Sequence, residues 1–93
     1  MSGHDFRNIY NLSDEQLEDL DRAEEMLESQ HLNSAEKLLL EMLEKDPKCI
    51  PVLNNLGVLY GKYFLEYEKA INYYNQVLEL EPSNEWARNE RRR

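Results

Sequence analysis

The chain has 93 residues, 41% hydrophobic and 32% charged, with a formal net charge of −8. That length holds one small domain, and that composition excludes a disordered chain. No apolar run approaches the ~18 residues of a membrane-spanning helix, and the single cysteine, Cys49, excludes an internal disulfide or a multi-cysteine metal site.

The first residues lack a basic stretch followed by an apolar one, so no secretory leader is expected, and a reducing, cytoplasmic setting is. Residues 1–12 read as an N-terminal extension in which Phe6, Ile9, Tyr10 and Leu12 are too apolar for a solvated tail. Ser13-Asp14-Glu15-Gln16 is a capping box, with Leu12 and Leu17 placed as a hydrophobic staple across it. The helix it opens runs to about residue 30, and Leu17, Leu20, Ala23 and Leu27 share one of its faces. Asn33-Ser34-Ala35-Glu36 signals a second helix start, and Ala35, Leu38, Leu39, Met42 and Leu43 point inward to about Lys45. Asp46-Pro47 stops that helix, because the residue before a proline is pushed out of the helical region. Pro51 suits the first turn of a third helix running to about Lys62. A fourth is expected from about Glu66 to Leu80, ending before Pro82, and a fifth begins near Ser83 or Asn84.

Helix pairs joined by short turns make antiparallel hairpins, and the hairpins repeat. At an offset of about 35, Leu32 falls on Tyr67, Ala35 on Ala70, Leu39 on Tyr74, Met42 on Val77 and Pro47 on Pro82. In the first helix of each pair the offset is about 34, with Ala23 on Gly57 and Met26 on Tyr60. The change of offset puts one extra residue in the second hairpin's turn, near Tyr63–Glu66. The residues Leu53-x2-Leu56-Gly57-x2-Tyr60, then Ala70-x3-Tyr74 and Pro82, resemble the tetratricopeptide pattern W-x2-L-G-x2-Y…A-x3-F…P. Leu53 stands for the tryptophan and Tyr74 for the phenylalanine. The first pair fits less well, since Asp19 and Arg22 stand where that family usually has apolar residues.

The resemblance implies an all-α fold, an α-α superhelix of antiparallel helix hairpins. It divides the chain into the extension at 1–12, a divergent repeat at 13–47, a second repeat at 48–82 and a capping helix at 83–93. It also implies a concave groove lined by the first helix of each pair, here Leu17, Leu20, Glu24 and Leu27, then Asn54, Asn55, Val58 and Lys62. Three leucines there suggest cover by the chain's own N-terminal segment, a homodimer surface or a free ligand site. The family's carboxylate-clamp positions fall on Leu20, Glu24, Asn55, Trp86 and Glu90, of which Asn55 alone matches, so a clamp is not expected.

The turn Tyr63, Phe64, Leu65 reads either as helix-packing aromatics or as an exposed tip for a partner. His4, His31 and Cys49 have no spacing for a metal or a nucleophile, so no cofactor and no enzymatic chemistry are expected. The acidic strip Asp14, Glu15, Glu18, Asp19, Asp21, Glu24, Glu25, Glu28 reads as a solvated face, with docking of a basic peptide as the functional alternative. The body of the chain would repel a polyanion, so nucleic acid is not an expected partner. Arg88, Arg91, Arg92 and Arg93 form a basic tip that complements a helix C-terminus. The expected function is a non-enzymatic protein-protein interaction module that binds a peptide or protein in the groove. The alternative is a structural homo-oligomer stacked through its incomplete repeat ends.

Overall fold

Ser13 opens the first helix, α1 (Asp14–Glu28), with the capping box expected of it: the Gln16 N–H donates to Ser13 Oγ at 3.1 Å and the Ser13 N–H to Gln16 Oε1 at 2.9 Å. The computed structural model describes residues 10–92; the expectations on His4, Phe6, Ile9 and Arg93 lie outside these. Helix α2 (Leu32–Lys45) starts two residues earlier than the Asn33 cap motif suggests, and His31 precedes it without a side-chain cap. The chain enters α2 through a wrapped helix end instead, with Gln30 at φ 68° and the His31 N–H donating to the Met26 carbonyl. Asp46 is extended (φ −143°), as Pro47 requires, and ends α2. Helix α3 (Ile50–Val58) carries Pro51 in its first turn. It runs into a π-helical turn, Leu59–Tyr63. Helix α4 (Tyr67–Leu80) follows, then α5 (Glu85–Arg92). Asn84 caps α5 by accepting from the Ala87 N–H at 2.8 Å.

The residue added to the second hairpin sits inside a helix rather than in the loop. In the first hairpin Ser29 N–H bonds to the Glu25 carbonyl and His31 N–H to Met26. Their counterparts 35 residues on, Phe64 and Glu66, bond to Leu59 and Tyr60, so each hydrogen-bonded ring is one residue larger. The π turn absorbs the insertion and leaves the helix end unchanged: Leu65, like Gln30, has positive φ, here 57°. A side-chain-bearing residue in the left-handed region costs about 1 kcal/mol, and Leu65 is 60% exposed, so little packing offsets it. Leu65→Gly should therefore raise stability by about 0.5–1 kcal/mol in urea unfolding. An unchanged or lowered midpoint would mean that the leucine side chain contributes packing.

The helices pack in chain order, α1 with α2, α2 with α3, α3 with α4 and α4 with α5, and among the described residues there is no strand. One continuous core joins both hairpins, with Leu20, Leu39, Leu53, Leu56, Leu59, Val52 and Val77 fully buried. Side-chain hydrogen bonds tie one hairpin to the next. Asn55 Nδ2 donates to Glu24 Oε2 at 3.1 Å and the Tyr60 hydroxyl to Glu36 Oε2 at 2.6 Å, while Gln16 Nε2 ties the first hairpin's own two ends by donating to Asp46 Oδ2 at 2.9 Å. From the N-terminal side the Tyr10 hydroxyl reaches Glu81 Oε1 at 3.2 Å, and Leu12 is buried in the same core.

Tyr60 stacks on Tyr73, with ring centroids 5.6 Å apart and planes 6° apart, and the Lys69 ammonium lies 5.0 Å above its ring. Burial first, and then the hydrogen bond to Glu36, holds the Tyr60 hydroxyl well above the ordinary tyrosine value of 10.0. Burial followed by the nearby Glu90 carboxylate does the same to Tyr74. Both folded values lie above the unfolded one, so the stability these groups contribute is present below about pH 10 and is lost as the pH rises further. Melting temperature should fall above about pH 10. Tyr60→Phe should be less stable at neutral pH yet lose less over that range. An alkaline fall identical in Tyr60→Phe would remove Tyr60 as a cause.

Candidate functional site

The groove residues expected from the sequence separate into two sets. Leu17, Leu20 and Leu27 are buried, at 6%, 0% and 5% exposure, and belong to the shared core. They do not form an open apolar groove, and this corrects the expectation drawn from the repeat register. At the C-terminal ends of α1 and of α3 with its π turn, Met26 and Tyr60 accept equivalent hydrogen bonds, 34 residues apart, but the two helices bury different faces. Helix α3 buries Leu53, Leu56 and Tyr60. Their counterparts Asp19 and Arg22 are half-buried and exposed, and Met26 is half-buried. Helix α1 instead turns inward its only leucine stripe, which is why the polar residues at 19 and 22 are tolerated.

Glu24, Asn54 and Asn55 are half-buried. Glu24 accepts the Asn55 hydrogen bond, and Asn54 Oδ1 is a buried oxygen with no hydrogen-bond partner among the described residues. Val58 and Lys62, the last two expected groove residues, do line an open cavity. This cleft of about 670 Å³ lies between the end of α3 with its π turn, the first half of α4 and the face of α5. Gly61 and Ala70 are in its wall, where the helices come close enough that a Cβ on Gly61 would sit 3.2 Å from the Ala70 methyl. Tyr67, Ile71 and Tyr74 come from α4, and Trp86, Glu90 and Arg91 from α5.

The cleft is largely apolar, and much of its apolar lining meets solvent: Tyr67 is 60% exposed, Trp86 44% and Ile71 38%. The Trp86 ring stands edge-on to Tyr74 with centroids 5.4 Å apart. Both cations of the lining point to other groups. Lys62 Nζ lies 5.6 Å from the Tyr63 ring centroid, and Arg91 Nη1 donates to Asn75 Oδ1 at 2.9 Å. In the candidate turn, Tyr63 and Phe64 are half-buried against the core, and Phe64 lies 5.9 Å from Tyr60. The exposed apolar side chains at and just after this turn are Leu65 and Tyr67.

Sequence reasoning missed Tyr67, Ile71 and Trp86 as lining residues. A signal for them existed, because Tyr67 and Ile71 lie at i, i+4 on the same face of α4 as Ala70 and Tyr74. Among the described residues no group of three or more His, Cys, Asp or Glu side chains is placed to hold a metal ion. Cys49 is buried at 3% exposure, and burial raises its thiol above the ordinary value, away from the reactive thiolate. No helix of the described residues is long and apolar enough to cross a membrane. Comparison with protein-family models, with curated proteins and with solved structures finds no match.

Proposed function

We propose that this chain is a non-enzymatic protein-interaction module of tetratricopeptide type, whose partner docks in the cleft between α3, α4 and α5. The observation that carries this reading is the exposed apolar lining of Tyr67, Ile71 and Trp86 around a concave space of about 670 Å³. Soluble domains rarely leave large apolar side chains clustered in a cavity unless something binds there. The repeat spacing, the stacked hairpins and the small residues at Gly57 and Ala70 support the family assignment. Within this reading the setting is cytoplasmic, where a single buried cysteine needs no partner.

A photo-crosslinking residue placed at Ile71 should capture a discrete partner that the same residue placed at Glu18 does not, and Trp86→Ala should reduce the yield. Identical products from both positions would sink the reading.

The structural alternative, copies stacked end to end, is favoured by the same exposed patch. Its four most exposed apolar side chains, Leu65, Tyr67, Ile71 and Trp86, present on the order of a few hundred Å². Stable interfaces bury about 800 Å² on each partner. Sedimentation over a wide concentration range separates the two, since a strict monomer leaves only the docking reading.

A further inference from the structure

We propose that the cleft takes a basic segment of its partner, one lysine or arginine side chain of which enters beside Tyr74, Trp86 and Glu90. This rests on the cleft being a docking site and specifies what docks. Glu90 is half-buried, lines the cleft, and has no hydrogen-bond or ion-pair partner among the described residues. The two cations of the cleft lining are engaged with other groups, Lys62 with Tyr63 and Arg91 with Asn75. Glu90 is thus a carboxylate without a partner beside aromatic rings, a combination that attracts cations through both charge and ring quadrupole.

The other occupants fail on the same observation. A purely apolar segment would strip water from Glu90 without replacing it, and a buried unpaired carboxylate is strongly unfavourable. An acidic segment would meet Glu90 and the chain's net charge of −8 as well. A second copy would bring another −8 with it. A basic segment is drawn in at long range by the acidic body, including the exposed carboxylates Glu18, Glu25 and Glu28 on α1. It is then held at short range by Glu90, with Tyr67 and Trp86 offering exposed faces to its alkyl stem.

Trp86 is the only tryptophan, so its fluorescence reports directly on the cleft of the intact chain. Three capped hexapeptides serve as probes: alternating leucine and lysine, leucine and glutamate, and leucine and serine. The lysine peptide should shift Trp86 emission saturably, bind at least about tenfold more tightly than the glutamate peptide, and weaken as salt is added. Glu90→Gln, with its melting temperature checked, should weaken that binding about tenfold, and Glu18→Gln should have a much smaller effect. Equal losses from both variants would attribute the binding to net charge alone and overturn the proposal. If the glutamate or serine peptide binds as tightly as the lysine peptide, the basic preference is wrong while the docking reading stands. If no peptide alters Trp86 emission and Ile71 captures no partner, both fall together.

Discussion

Gly57→Leu should be the most damaging single substitution that leaves charge unchanged, removing roughly 3 kcal/mol or more of stability. A Cβ at this position would lie 2.5 Å from both Cε1 and Cζ of Tyr74, a distance that real contacts do not show. The ring cannot swing away freely, because Tyr74 is buried at 4% exposure and held against Trp86. Leucine adds three further carbons to that collision, so α3 and α4 must separate. A loss of that size lowers the melting temperature of a domain this small by roughly 15 °C. Gly57→Ala gains about 1 kcal/mol in helix propensity and should still be destabilising, because the Cβ alone makes the clash. Tyr74→Ala in the Gly57→Leu background should restore part of the loss relative to the sum of the single changes. Unchanged melting of Gly57→Leu would mean that the glycine does not face Tyr74 at all.

Leu20→Glu should abolish cooperative folding near neutral pH. Leu20 has no exposed surface and is among the largest fully buried side chains, so the substitution removes core packing and puts a carboxylate in its place. Leucine-to-alanine changes in cores cost about 2–5 kcal/mol. An unpaired buried carboxylate adds to that, against a total stability of roughly 5–15 kcal/mol for a domain. Leu20→Ala, measured alongside, should remain folded and lose about 2–5 kcal/mol. On an open groove or a dimer surface, Leu20→Glu would change binding or mass and shift stability by no more than about 0.5 kcal/mol. A folded Leu20→Glu with an unchanged melt would therefore place the leucine stripe of α1 back on the surface.

The elements that local chemistry defines were legible in the sequence. Ser13 and Gln16 form the expected capping box, Asp46-Pro47 ends α2, and α4 occupies the predicted segment to within one residue. The errors came where the outcome depends on a neighbour rather than on the segment itself. The stripe Leu17, Leu20, Leu27 shows that α1 has an apolar face, but periodicity does not say which helix that face meets. The repeat register pointed to the face carrying Asp19 and Arg22, and desolvating those charges would have cost more than rotating the helix. The Asn33-Ser34 motif read as a cap, yet the left-handed Gln30 lets the chain begin α2 at Leu32. The added residue showed only as a change of offset, and placing it in a π turn instead of the loop required the backbone hydrogen bonds. Of the cleft, Val58 and Lys62 were expected. The rest depends on how α5 lies against α4, and an eight-residue helix carries little pattern from which to read that.

The bond from Tyr10 to Glu81 spans 71 positions, while each hairpin closes over a turn of a few residues. This difference sets an order of assembly. A hairpin can form as soon as its own two helices exist, whereas Tyr10 has nothing to meet until both hairpins are stacked and α4 has reached its last turn. The contact between the chain's first described residue and the end of α4 therefore belongs to the last stage of folding and the first stage of opening. Its loss would free the edge of the stack at which α5 begins before the hairpins themselves loosen.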